Sequence, residues 1–328
     1  MKCLPMFSLQ DMPKAEIHLH LEGAIEPETI LELDPSLTLT EIKARYKYSD
    51  FAGFIESFKW VNSFLRTPGD YARITTRLCE RLLAQNVRYA EIILAAGVIL
   101  WKKQEVLPIY DAVRAAARNS GLEVNWIFDA VRQFGAGHGM QVAELAVQRT
   151  QDGVVAIGIG GSEEKGPAQW FGEVYSFARS RGLHLHAHAG ETCGPESVWK
   201  ALEIGAERIG HGIRSIEDPV LVRHLADRRI PLEVCITSNL ATGAVRSLEE
   251  HPLRQLYDSG VPVVLNSDDP AMFHTSLVQE YETARDQFGF TVRELEKMAR
   301  DSFQFKFTSQ SGAAHESASP QAGLPLRP

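Results

Sequence analysis

The stretch Leu183 to Glu191, LHLHAHAGE, places His184, His186 and His188 at every second position and ends on a carboxylate, Glu191. Alternation of this kind is the period of a β-strand. Residues two apart on a strand face the same way, so the three imidazoles share one side. Imidazoles bind metal ions and carry protons near neutral pH. A carboxylate one turn beyond such a strand could move a proton in a hydrolysis. The same pattern also suits hydrogen-bonded core histidines, so the matching pieces elsewhere decide. They are His18-Leu19-His20, His211 in Arg208 to His211, and Ser267-Asp268-Asp269-Pro270.

These pieces fall at the ends of a regular series of apolar runs. Strands are predicted over Glu16 to His20, Val87 to Leu94, Leu122 to Ala130, Gly153 to Ile159, the LHLHAHAGE strand, Arg208 to His211, Ile230 to Ile236 and Val261 to Asn266. Amphipathic helical stretches separate them, including Asp70 to Gln85, Val106 to Arg118, Met140 to Thr150, Ala168 to Ser180, Glu196 to Ile204, Pro219 to Asp227 and Pro252 to Ser259. Two more helices are predicted near Ser276 to Gln287 and Val292 to Phe305. Ile25 to Trp60 reads as a helical insertion after strand one. Eight strands that alternate with helices predict an α/β fold, a (β/α)8 TIM barrel. An open doubly wound sheet is the alternative. It is disfavoured because no GxGxxG follows strand one; Gly135-Ala136-Gly137-His138-Gly139 lacks that spacing and reads as a loop.

Active sites of such barrels lie at the C-terminal ends of the strands. There the chain offers His18 and His20, His188 with Glu191, His211, and Asp268 with Asp269. Each has a bland reading, as buried polar groups or, for Asp-Asp-Pro, a turn. Their joint occurrence at strand ends is harder to assign to packing. His18 and His20 share a face and can bind one ion, and His188 with Asp268 could complete an N3O set. Imidazole and carboxylate without thiolate suit one catalytic divalent ion, zinc first among the choices, with an open water position. Such a site brings the pKa of bound water down toward roughly 7. Glu191 is then free to deliver a proton, and His211 to orient or deprotonate the attacking water.

Composition narrows the partners. The formal charge of −8 over 328 residues argues against nucleic acid or an anionic membrane as partner. Cys3, Cys79, Cys193 and Cys235 form no CxxC pair, which disfavours a thiolate metal site and a disulfide framework. No apolar run approaches the roughly 20 residues of a membrane span. Nor does the N-terminus hold a signal-like run. A cytoplasmic location is expected. One catalytic barrel is expected over residues 1–307, and Thr308 to Pro328, rich in Ser, Ala, Pro and Gly, reads as a disordered tail. The oligomeric state is left open.

The ordered motifs KAEIHLHLEGAI (Lys14 to Ile25), HAGE (His188 to Glu191), RIGHG (Arg208 to Gly212), PLEVCITSN (Pro231 to Asn239) and NSDDP (Asn266 to Pro270) resemble those of the adenosine deaminase family of metal-dependent amidohydrolases, over roughly Met12 to Phe305. The resemblance implies that His18, His20, His188 and Asp268 hold the metal. It implies that Glu191 protonates purine N1 as water adds at C6, and that His211 positions that water. It makes Asp269 the partner of N7, Gly161 the backbone donor to N3, and Glu22 an acid near the ribose 5′ end. Ammonia leaves and a 6-oxopurine remains. The HxE and PCxxC signature of the cytidine and tRNA-adenosine deaminases is absent. So is a lysine at the end of strand four that could bridge two metals.

One segment departs from the commonest family pattern. Val155 to Pro167, VAIGIGGSEEKGP, has Gly158 where an aspartate is usual. It resembles the branch that includes aminodeoxyfutalosine deaminases, which act in a bacterial menaquinone route. That implies a purine nucleoside with an extended 5′ group, 6-amino-6-deoxyfutalosine converted to futalosine, with adenosine or adenine as alternatives. Phe51, Phe54, Phe58, Lys59, Trp60, Phe64 and Arg66 are candidates for the longer channel, although the aromatic spacing is also that of a helix packed on the barrel. A catalytically silent nucleoside binder and an amidohydrolase of non-purine amides are the readings from other classes. His184 and His186 read as supporting groups. Cys193 could line the pocket. Glu91 and Arg132 could border the site or pair in the core. Glu163-Glu164 reads as solvated loop, and His138, His224, His251, His274 and His315 have no convergent partners.

Overall fold

Eight strands pair in parallel, each beside its neighbour in sequence, from β1 to β8. They are β1 (Lys14–His20), β2 (Val87–Leu94), β3 (Glu123–Val131), β4 (Val154–Gly160), β5 (His184–Ala189), β6 (Arg208–His211), β7 (Leu232–Val234) and β8 (Val263–Leu265). This computed structural model describes residues 8–48 and 51–308, without the side chains of 51 and 52. The seam between β8 and β1 is joined by one bridge, Leu19 to Asp268. There the His20 N–H donates to the Asp268 carbonyl at 2.9 Å. The result is a nearly closed (β/α)8 barrel, as the strand pattern predicts. A candidate metal ligand also closes it.

A bulge in β1 aims the first two histidines. Its pairing with β2 shifts register between Glu16 and Leu19. Asn266 Oδ1 accepts the N–H groups of both Ile17 and His18, at 2.8 and 3.0 Å. A bulge lets two residues oppose one and re-aims the side chains beyond it. Ile17 therefore joins an apolar cluster with Ala15, Tyr89 and Val264, while His18 reaches the histidines of β5 and β6.

The insertion after β1 holds helices Pro27–Leu33, Leu39–Arg45 and Phe51–Asn62. Phe54 stacks on Phe273 at 5.0 Å and meets Phe58 at 5.9 Å. Trp60 sits edge-on to Phe64, with Arg45 over its ring. These contacts are the packing expected from helical spacing. Lys59 pairs with Glu56 on the surface, and Arg66 donates to the Ser63 carbonyl. Phe51, the remaining channel candidate, is one of the two helical residues whose side chains lie outside the described part of the chain.

Two local expectations change, and one helix was not anticipated. The seventh strand ends at Val234 rather than Ile236, and Ile236–Ala241 is a short helix. Residues 136–139 form the first turn of helix Ala136–Val147 instead of a loop, so that helix starts before Met140. Helix Ala96–Trp101, after β2, also lacked a clear periodic signal in its six residues.

The barrel interior is polar where an apolar core is usual. Arg208 pairs with Glu91 at 2.6 Å and with Glu233 at 2.5 Å, all three buried. Core ion pairing is therefore the reading that holds for Glu91. Phe307 plugs the N-terminal end: its ring lies 3.7 Å from the Arg208 guanidinium carbon and stacks on His184 at 4.5 Å. The tail expected to be disordered lies, from residue 309 on, outside the described residues.

Candidate active site

At the C-terminal mouth, groups from β1, β5, β6 and the turn after β8 converge. The His20 and His188 Nε2 atoms are 3.1 Å apart. Asp268 Oδ1 lies 3.3 Å from both His18 Nε2 and His20 Nε2. His18, His188, His211 and Asp268 bring ligand atoms within 4.8 Å of one another. Gly210 makes this approach feasible, since a Cβ there would lie 2.6 Å from the His18 ring. His211 and Asp268 both take left-handed backbone, φ 62° and 63°. For non-glycine residues that conformation costs about 1–3 kcal/mol and collects at functional sites.

The donor set fits a divalent cation. His18 Nδ1 is 2.7 Å from Glu233 Oε2, and His188 Nδ1 is 3.3 Å from the Ile159 carbonyl. Those contacts place the ring protons on Nδ1 and turn the Nε2 lone pairs inward. His18 Nε2 is buried without a hydrogen-bond partner. Burial opposes charge on His18, but Asp268 and Glu233 outweigh it and lift its pKa to about 10. The local field thus favours positive charge at that nitrogen. On His20 burial wins, supported by the neighbouring histidines, and the pKa falls to about 3, which leaves a neutral imidazole. Glu233 also takes His186 Nε2 at 2.7 Å, so His186 supports the site from below. A carboxylate behind a ligating histidine fixes its tautomer and ring angle. His184 is further down the barrel, paired with Glu207.

Glu191 Oε2 faces His211 Nε2 at 3.6 Å. Burial raises the Glu191 pKa, with His211 opposing and Asp268 reinforcing. Glu163, expected in solvent, is instead buried and accepts the N–H groups of Gly190, Glu191 and Thr192 at 2.7, 3.0 and 2.8 Å. Its neighbour Glu164 is exposed, so composition could not tell the two apart. Arg132 is buried and donates to the carbonyls of Gly166 and His188, tying the loop after β4 to the end of β5.

Helix Ile236–Ala241 and its C-cap carry the remaining supports. Ser238 Oγ donates to Asp268 Oδ2 at 2.6 Å. Asn239 Nδ2 meets His211 Nδ1 at 3.2 Å. Thr242 Oγ1 meets Glu191 Oε1 at 3.3 Å.

The adenosine deaminase family model matches residues 13–315. The chain belongs to the adenosine deaminase family. It is 38% identical to an aminodeoxyfutalosine deaminase of Streptomyces coelicolor, over 92% of this chain and 82% of that protein. It is 36% identical to an adenine deaminase of Rhizobium leguminosarum bv. trifolii, over 91% and 96%. The structure of an adenine deaminase from Arthrobacter aurescens superposes with a TM-score of 0.85 at 29% identity, covering 91% of this chain and 95% of that one.

Within this adenosine deaminase framework the remaining expected residues surround the cluster. Asp269 is buried beside Asp268, and burial with that neighbour's charge pushes its pKa well above its ordinary value. Glu22 lies in the turn after β1, where its carboxyl accepts the Ala95 N–H at 3.2 Å; burial lifts its pKa to about 7. Gly161 follows β4 with φ +88° and is exposed. Asp129 was not anticipated. It lies on β3 opposite Gly158, and a Cβ on Gly158 would come within 2.9 Å of Asp129 Oδ1. A carboxylate thus stands one strand away from the position where the resemblance leads one to expect an aspartate. An acid inside the apolar run WIFDA was the available signal, as was Glu233 inside PLEV. His251 joins Asn239 at 3.2 Å, contrary to the expectation that it lacks partners.

Proposed function

We propose that the chain hydrolytically deaminates C6 of an adenine nucleoside, and that its substrate is 6-amino-6-deoxyfutalosine, converted to futalosine on a menaquinone route. The observation that carries the reaction type is the Glu191–His211 pair beside the His18, His20, His188 and Asp268 donors. In this reading those four residues hold one zinc ion. Zinc suits three imidazoles and a carboxylate. When bound, it supplies Lewis acidity and lowers the pKa of water.

The protein residues then divide the work. Glu191, whose carboxyl burial keeps protonated to higher pH, gives its proton to N1 as water adds at C6. Asp269 also keeps its proton and through it donates a hydrogen bond to N7, an acceptor. Gly161 offers its N–H to N3, and Glu22 faces the sugar side. His211 fixes the attacking oxygen. Of the water's two protons one returns to the Glu191 carboxylate and one passes to the amino nitrogen; the C6–N bond then breaks, ammonia leaves, and C6 becomes a carbonyl. Water and the 6-aminopurine are thus exchanged for ammonia and the 6-oxopurine.

Two relatives named aminodeoxyfutalosine deaminase, each 38% identical, support the extended nucleoside. The adenine deaminases at 35–36% identity support a second reading, deamination of the free base. We place the enzyme in the cytoplasm, a location in keeping with free Cys79, Cys193 and Cys235. Residues 1–307 form its catalytic unit and 308–328 a tail. Ultraviolet difference spectra on adenine, adenosine, 5′-substituted adenosines and aminodeoxyfutalosine test the proposal. The highest kcat/KM on aminodeoxyfutalosine is expected. A higher value on adenine moves the assignment to the second reading, and turnover of none removes the deaminase reading.

A further inference from the structure

A chain of hydrogen bonds runs from a backbone amide to the face of the site. The Leu253 N–H donates to His251 Nδ1 at 3.2 Å. His251 Nε2 meets Asn239 Oδ1 at 3.2 Å, and Asn239 Nδ2 meets His211 Nδ1 at 3.2 Å. His251, Asn239 and His211 are all buried. A backbone N–H is only a donor, so it fixes the direction of every link after it. His251 Nδ1 must accept, and the proton of the neutral ring is then on Nε2. Asn239 must turn its carbonyl to that proton and its NH2 to His211. His211 Nδ1 must accept in turn, which leaves the His211 proton on Nε2. Burial keeps His251 neutral, with a pKa lowered to about 4.

We propose that His251 and Asn239 are positioning residues that hold His211 in its Nε2–H tautomer, so that His211 acts on the reacting oxygen as a hydrogen-bond donor and is neither a metal ligand nor a proton acceptor. The geometry at the far side agrees. His211 Nε2 points between Glu191 Oε2 at 3.6 Å and Asp268 Oδ2 at 4.0 Å, two oxygens that accept. It also sorts the converging imidazoles. Nδ1 of His18 and of His188 faces an acceptor, so Nε2 of each is the nitrogen offered to a cation, whereas Nε2 of His211 carries a proton. His20 is then the third nitrogen ligand. A neutral imidazole that donates without transferring its proton is an established electrophilic device. This inference deepens the deaminase reading and rests on it only for the effect on turnover.

The test is two-bond 1H–15N correlation spectroscopy on zinc-loaded and metal-free enzyme labelled at histidine, with His211 assigned by its loss in H211Q. The Nε2–H pattern is expected for His211 in both forms. His251→Phe keeps the ring volume but removes the donor, so the Asn239 amide can turn over. The expected result is a partial shift of His211 to the Nδ1–H form. A fall in kcat of about ten-fold, in the range usual for lost supporting hydrogen bonds, should accompany it. KM and zinc stoichiometry should stay unchanged. His251→Gln, whose amide N–H can stand in for the ring Nε2–H, should restore the tautomer and most of kcat. Asn239→Ala cuts the chain at its other link and is read in parallel, so a folding defect in one variant leaves the other to decide. An Nδ1–H or zinc-bound Nε2 signal in the parent enzyme overturns the proposal. So does an unchanged tautomer in both His251→Phe and Asn239→Ala. If the parent turns over no adenine compound, the deaminase reading fails while the spectra still decide the relay.

Discussion

The backbone N–H of Glu191 donates to the carboxylate of Glu163 at 3.0 Å. The same oxygen takes the Thr192 N–H, and the other takes the Gly190 N–H and the Ser197 hydroxyl. One buried acid from the loop after β4 thus sets the shape of the loop after β5. The side chain so aimed is the one read as the proton donor. Converging N–H groups stabilise a buried carboxylate that would otherwise be costly.

Replacing Glu163 by Gln should therefore destabilise the fold in a pH-dependent way. Burial pushes the Glu163 pKa up, but the Ser197, Thr192 and Gly190 hydrogen bonds and the Arg132 charge outweigh it and hold it below the ordinary 4.5. A depressed folded pKa contributes stability that is present above the unfolded value and lost as pH falls through the folded one. At pH 7 the variant, which sets an NH2 against N–H donors, should lose about 2–3 kcal/mol. The gap in melting temperature to the parent should narrow below pH 4.5. Thermal melts from pH 7 to pH 3 measure it, and a gap independent of pH would show that the charge is not what holds the loop.

Glu191→Gln separates proton delivery from metal binding. The residue is outside the proposed ligand set and touches His211 and Thr242. Loss of a general acid typically costs about 10²–10⁴-fold in rate. We expect kcat to fall in that range, with KM and bound metal near the parent values. Steady-state kinetics and metal analysis on one preparation check both halves. Near-normal turnover would refute the role as acid.

The barrel and most of the mouth were legible because both are written in short-range patterns. Apolar runs gave all eight strands, and the HxH, HAGE, RIGH and SDDP pieces all fall at or beside strand ends. What stayed hidden depends on distance in the chain. Glu163 becomes special only because the loop after β5 folds around it, 27–29 residues away. His251 matters through Asn239, and Asn239 through a six-residue helix too short for its periodicity to stand out. The polar interior of Arg208, Glu91 and Glu233 was only hinted at, by charges inside apolar runs. The insertion went the other way: its aromatics have helical spacing, and Phe54 and Phe58 pack as that spacing says.

Removing the metal should cost stability as well as activity. The Nε2 atoms of His20 and His188 lie 3.1 Å apart beside Asp268, close enough for one cation to draw on all three. A ligand that binds only the folded state stabilises it by about 4 kcal/mol at 1,000 times its Kd. Chelated enzyme should melt lower, and added Zn2+ should raise the melting temperature in step with the logarithm of its concentration. His188→Ala should abolish that dependence. A melting temperature indifferent to chelation would mean that the cluster holds no ion.

Asp129 and Gly158 should prove mutually exclusive with a second carboxylate. Gly158→Asp puts in the residue that the family resemblance leads one to expect there, but its Cβ would come within 2.9 Å of Asp129 Oδ1 and 3.2 Å of His186 Nδ1. Asp129 is already buried, with a pKa that burial lifts to about 7, so another acid beside it adds both a clash and like charge. We expect Gly158→Asp alone to lose about 3 kcal/mol or more, the scale of an uncompensated buried charge. Asp129→Gly removes the first acid and opens the space. The double variant, Asp129→Gly with Gly158→Asp, should then be more stable than Gly158→Asp alone, which a double-mutant cycle in urea measures as a coupling of about 1–3 kcal/mol. Additive losses would mean that the two strands do not share one carboxylate position. A coupled pair would instead make Asp129 the strand-three equivalent of the missing acid, and its effect on kcat/KM across the nucleoside panel would then tell which part of the substrate that carboxylate reads.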